Sequence, residues 1–151
     1  MVKDYRKAED ALRPVGGVEE VQVVGAISQI VAEYLELTTT ARSVWLHPGA
    51  IEHIHAQRGL TRSDADFVLS HLPATVIRPH YCGPDPRSDG RFDLIHIPEH
   101  ADRAVFVAVK VVTAADERAT DEIWVSTAHP LSGNFLSRKR YRDSLRRLPW
   151  V

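Results

Sequence analysis

The chain has 151 residues, 44% hydrophobic and 26% charged, with a formal net charge of -1. That suits one folded domain with a moderate core and excludes a body whose overall field would draw in a polyanion. A single cysteine, Cys82, excludes an intrachain disulfide framework and any multi-cysteine zinc site. No apolar run approaches the roughly 20 residues needed to cross a bilayer, so no membrane partner is expected. The first ten residues, MVKDYRKAED, lack the apolar stretch of a signal peptide. A cytoplasmic location is therefore expected, or delivery by a phage or a secretion system.

Residues 1–20 read as a polar N-terminal arm with a turn at RPVGG. The stretch AISQIVAEYLEL then places Ile27, Ile30, Val31, Tyr34 and Leu35 at helical spacing. Val44, Trp45 and Leu46 suggest a short strand, and Pro48 opens a helix expected to reach Arg58 and stop at Gly59. Thr61, with Asp64 three residues on, marks the N-cap of a further helix that Pro73 is expected to end. From there the period changes. TVI (75–77), RFDLIHI, AVFVAVKVVT and EIWVSTA are β-branched, apolar or alternating, and predict strands. Between the first two, RPHYCGPDPRSDG reads as a loop rich in Pro, Gly and Asp, and Cys82 lies within it among turn formers. FLSRKRYRDSLRRL is expected to close the chain as a helix. The expected fold is α+β, with N-terminal helices packed on an antiparallel sheet. Residues 21–138 form the domain, and a basic C-terminal helix over 139–151 belongs to it.

Several side chains do not suit the places this pattern gives them. On the helix opened by Pro48, Ala50, Ile51 and Ile54 define an apolar arc, with His53 and His55 on its two edges and Arg58 projected inside it. A guanidinium there needs a carboxylate, a carbonyl or a phosphate. The alternative is that Arg58 turns outward at the helix end and caps carbonyls. His53 and His55 diverge by about 200° on a helix, so the pair cannot chelate one ion, and no metal or other cofactor is expected. A histidine beside an apolar arc is commonly a structural hydrogen-bonding residue, yet a pKa near 6.5 also suits acid or base work. On the strand AVFVAVKVVT, Lys110 shares its face with Phe106, Ala108 and Val112; it either snorkels to the sheet edge or meets an anion. On EIWVSTAHP, Thr127 and His129 are expected on the face of Ile123 and Val125, with Ser126 beside them; such hydroxyls commonly cap turns. Ser137 to Arg147 carries six basic residues and one acid, a local basic patch on a neutral body or simply a solvated helix face.

The order of these segments over about residues 24–138 resembles the barnase–EndoU–colicin E5/D–RelE superfamily of metal-independent ribonucleases, and within it the phage-associated nuclease-like domains. SVWLHPGAIEHIHAQRG is similar to the family's strand followed by a His-Ile helix, LSHLPATVIRP to a helix end before a Pro-bounded strand, and VFVAVKVVT with IWVSTAHP to its paired sheet strands. Relatives place a basic residue and a second histidine shortly after the His-Ile pair; here Gln57 and Arg58 stand at those positions. The resemblance implies a barnase/RelE-like fold and a toxin-like or phage-associated RNA endonuclease in which the 2′-hydroxyl attacks and leaves a 2′,3′-cyclic phosphate. The expected catalytic group is His53 as base or acid, Arg58 and Lys110 on the phosphate oxygens, Ser126 or Thr127 as hydrogen-bond donor, and His129 supplying the opposite proton. His55, Arg138, Lys139 and Arg140 are expected to bind substrate. A toxin of this kind implies a protein inhibitor, an antitoxin or immunity protein of acidic character. The alternative is a catalytically inactive module of the same fold that binds RNA or a protein. A small-molecule enzyme such as an ADP-ribosyltransferase is disfavoured, since Glu99, Glu117 and Glu122 have no matching partners.

Overall fold

The computed structural model describes residues 20–116 and 119–150, so all but the last residue of the expected polar arm, its RPVGG turn included, lies outside the described residues. In chain order the elements are β1 (Gln22–Ala26), α1 (Gln29–Tyr34), β2 (Ser43–Leu46), α2 (Pro48–Ala56), α3 (Arg62–Ser70) and α4 (Leu72–Ile77). There follow β3 (Tyr81–Pro84), β4 (Arg91–His96), β5 (Arg103–Val112), β6 (Glu122–Ser132), a 3-10 turn (Phe135–Ser137), α5 (Lys139–Ser144) and β7 (Arg146–Arg147). The seven strands form one sheet in the order β1-β2-β6-β5-β4-β3-β7. Every neighbouring pair is antiparallel except β2 beside β6. The fold is α+β, as expected, and the sheet is open, with β1 and β7 as its edges.

Alternation along β5 organises both layers. Val105, Val107 and Val109 join Val44, Leu94 and Ile123 in a core shared with Val31, Ile51, Ile54, Val68, Leu72 and Val76 from the four N-terminal helices. Ala104, Phe106 and Ala108 point to the opposite face, where Phe135 and Tyr141 from the C-terminal segment cover them. Each fully buried aliphatic or aromatic side chain contributes roughly 1.5–3 kcal/mol. Pro48 and Thr61 start helices as the sequence suggests, and two further caps are made by side chains. Ser28 caps α1 by accepting from the Val31 amide, and His47 caps α2 through Nδ1, which accepts from the Gly49 amide at 2.9 Å. Thr61 and Asp64 form a reciprocal capping box on α3, with bonds of 3.1 and 2.9 Å. Gly83 allows the closest approach in the fold: a Cβ there would collide with the Ser144 carbonyl, where the chain leaves α5 to pair β7 with β3.

The structure departs from the expected elements in four places. The first described element is a strand, β1, over apolar residues for which no element is expected, and α1 is shorter than the apolar spacing of AISQIVAEYLEL suggests. Thr75–Ile77 belongs to α4, because Pro73 falls in that helix's first turn, where its missing N–H costs nothing; Thr75 is buried and donates its hydroxyl to the His71 carbonyl at 2.7 Å. The supposed loop at 78–90 contains β3, and Cys82 within it is fully buried on the helix side. The C-terminal helix spans only Lys139–Ser144 before β7 begins.

Candidate functional site

The expected catalytic residues divide between the two sides of the molecule. His53 and His55 are exposed on α2, whose buried side is Ile51 and Ile54. The helix ends at Ala56, and Gln57 is already extended (φ -62°, ψ 136°), so Arg58 lies beyond the last turn and is exposed. It is not inside the apolar arc, because the helical projection has no meaning past Ala56. Gln57 has a structural task. Its Nε2 donates to the Ala128 carbonyl at 2.7 Å and to Thr127 Oγ1 at 3.3 Å, closing the edge of β6 beyond the end of β2.

Lys110, Thr127 and His129 lie together on the opposite face. A bulge makes this possible: Ala108 pairs with Thr127 while Val109 pairs with Val125, leaving Ser126 as the extra, half-buried residue. The extra residue reverses the alternation, so Thr127 and His129 face away from Ile123 and Val125, contrary to the simple period-2 reading. His129 pairs with Phe106 and stacks on its ring, with centroids 4.6 Å apart and planes 18° from parallel. Lys110 is exposed, paired with Trp124 on one side and Arg91 on the other. Arg140 reaches over the same face from α5, 4.5 Å from the Tyr141 ring and 5.8 Å from the Phe106 ring. Arg138 and Lys139 are exposed at the start of α5, and Lys139 forms an i,i+4 pair with Asp143 at 2.9 Å.

The electrostatics single out two groups. Burial lowers the His129 pKa below the ordinary histidine value, and Arg140 and Arg138 add to the effect against the hydrogen bond to Pro130. Nδ1 lies 2.9 Å from the Pro130 carbonyl, which can only accept, so Nδ1 carries the proton and Nε2 is left as a bare lone pair. The second group, Asp93 on β4, was not anticipated from sequence. It is fully buried beneath Arg140, whose Nη2 donates to Oδ2 at 3.0 Å, while Oδ1 and Arg140 Nε have no hydrogen-bond partner among the described residues. Burial pushes the Asp93 carboxyl up to about 6, with nearby Asp85 adding to the rise against the pull of Arg140. The only hint in the sequence was an acid at an inward position of RFDLIHI.

A second cluster was also unforeseen. His71, from the α3–α4 junction, and His80 and His96 line a cavity of about 450 Å³ with Arg78 and Glu99. The His80 and His96 ring centroids are 4.9 Å apart. His80 Nδ1 accepts from the Ile97 amide at 2.9 Å, which places its proton on Nε2; His96 Nδ1 faces the Arg78 carbonyl at 3.4 Å. Burial lowers both pKa values. Arg78, the cation here, lies 4.7 Å over the Trp150 ring. No group of three His, Cys, Asp or Glu side chains suited to a metal ion occurs among the described residues. Cys82 is no nucleophile in this fold, since burial pushes its thiol up to about 12. Among the described residues no helix is long and apolar enough to cross a membrane.

No family model, curated protein or solved structure matches the chain.

Proposed function

We propose that the protein is a metal-independent RNA endonuclease, toxin-like or phage-associated, working on the sheet face that carries His129. The observation supporting this is the sharing of one face by a neutral imidazole with a bare Nε2, a hydroxyl on Thr127, and the cations Lys110 and Arg140. Their roles differ from those expected of His53 and Arg58, which lie on the helix layer. His129 Nε2 takes the proton of the ribose 2′-hydroxyl, an effect typically worth about 10²–10⁴-fold. The 2′-oxygen then bonds to phosphorus as the bond from phosphorus to the 5′-oxygen breaks, and the departing oxygen takes a proton from water. Lys110 and Arg140 stabilise the charge on the nonbridging oxygens. Thr127 Oγ1 accepts from Gln57, so its own O–H remains to donate to phosphate.

Purified protein in EDTA is expected to cut RNA and leave cyclic phosphate ends, with His129→Ala losing the activity and His53→Ala keeping it. Cleavage that survives His129→Ala but not His53→Ala would remove this site assignment. An acidic inhibitor protein would fit the same cationic face, which Arg138 and Lys139 extend. A second reading, a non-catalytic RNA-binding module, draws support from the carboxylates beside Arg140: Asp93 at 3.0 Å and Asp85 at 3.9 Å are both buried and offer substrate no proton directly. Wild-type protein that binds RNA and never cuts it would favour that reading.

A further inference from the structure

Across the sheet, one row of side chains runs along the face that bears His129. Trp45 on β2 is in register with Trp124 on β6, Trp124 with Lys110 on β5, and Lys110 with Arg91 on β4. Paired residues on neighbouring strands project to the same side, so these four form a continuous stripe of about 14 Å at the usual strand spacing. The two indoles lie with centroids 6.0 Å apart, and both are only partly buried. Trp45 also walls a cavity of about 620 Å³ with Thr39, Arg42, Ser43 and Asp121, a polar recess beside the aromatic surface. At the other end of the stripe Lys110 is exposed, and the buried Nε of Arg91 has no hydrogen-bond partner among the described residues.

We propose that this stripe is a stacking platform for unpaired nucleotides, so that the RNA taken by this face is single-stranded. The proposal rests on the RNA reading of the same face given above. An indole offers every base a π-face without regard to sequence, whereas a paired base keeps its faces inside the stack. Lys110 and Arg91 continue the row as cations on the side of Trp124 away from Trp45, where they meet phosphates next to a base stacked on Trp124. His129 lies off the row, along β6 past Thr127 on the same face and about 13 Å from Trp124 at the usual strand rise, so a strand lying on the tryptophans has to continue along β6 to bring its backbone to the proposed reacting group. A base edge reaching past Trp45 would find hydroxyls, a carboxylate and a guanidinium in the adjoining recess.

The test is a titration of the full chain with a single-stranded oligoribonucleotide carrying 2′-O-methyl riboses, which cannot be cleaved, followed by intrinsic tryptophan fluorescence. Quenching is expected, together with weaker binding of an abasic strand of the same length and of a duplex. Trp124→Leu and Trp45→Leu should each weaken binding by about 5- to 150-fold, the range for loss of one stacked base. Trp150→Phe, whose ring contacts Arg78 and Pro79 elsewhere, should retain the quenching. Equal affinity for the intact and abasic strands, or no binding of either, overturns the platform, and that comparison needs only wild-type protein. Base-dependent quenching in a protein that never cuts unmodified RNA upholds the platform and removes only the catalytic reading. Cleavage of RNA with no dependence on bases or indoles does the reverse.

Discussion

Replacing Asp93 by asparagine should change how stability depends on pH. Asp93 has no exposed surface, and its carboxyl is raised from an ordinary 3.8 to about 6. The native state therefore holds a proton that the unfolded chain releases at lower pH. Between about pH 4 and pH 6 the folded form binds the additional proton, so unfolding free energy falls as pH rises and levels off above that window. The stabilisation is fully present below the unfolded value and lost as pH passes the folded one. The gap of about two units corresponds to about 3 kcal/mol, since one unit is about 1.36 kcal/mol. The carboxamide of the variant does not titrate, and all other groups are common to both proteins. The stability difference between Asp93→Asn and wild type should thus move by roughly 2 kcal/mol in the variant's favour from pH 4 to pH 7, the rest lying below pH 4. Loss of the Arg140 partner at 3.0 Å shifts the whole curve of the variant without altering that trend. Chemical denaturation at a series of pH values reads the effect. Parallel curves for the two proteins would refute the argument that burial outweighs the Arg140 pairing.

Three further outcomes are expected. If His129 is the base, the acid limb of kcat/KM should fall at a pH below the ordinary histidine value of about 6.5, because burial lowers its pKa; a limb above 6.5 would contradict the assignment. Gly83→Ala should destabilise the fold by roughly 1–3 kcal/mol, since the new methyl meets the Ser144 carbonyl; an unchanged denaturation midpoint would mean that the α5–β7 segment does not lie against β3. Cys82 should resist a disulfide reagent at pH 8 in native protein and react fully in denaturant, and rapid native reaction would refute its burial.

Local chemistry was the legible part of this sequence. Thr61 with Asp64, and Pro48, marked helix starts correctly because capping is decided within four residues. The long strands β5 and β6 were equally plain in their β-branched runs. Short elements were not: β1 and β3 hold five and four residues and gain their stability from neighbours distant in sequence. The site divided along the same line. Lys110 was recognisable as one charge in an apolar row. His129 and Thr127 were assigned to the wrong face, since nothing in EIWVSTAHP announces a bulge at Ser126. The Asp93–Arg140 pair joins residues 47 positions apart, and the cluster of His71, His80 and His96 assembles from three elements. No periodicity reports such meetings.

The single parallel pairing, Val44 and Trp45 beside Ile123 and Trp124, has a consequence for how the chain comes to be folded. β6 lies between the β1–β2 hairpin and the meander of β5, β4 and β3. Until it is in place the two halves of the sheet have no ladder joining them, and both neighbouring edges stay unsatisfied. Closure must gather segments nearly eighty residues apart, so assembly is governed by a late, long-range event with a large entropic barrier. A growing chain that has not yet reached β6 also lacks the Arg140 segment, and so the face proposed to take RNA is still unmade.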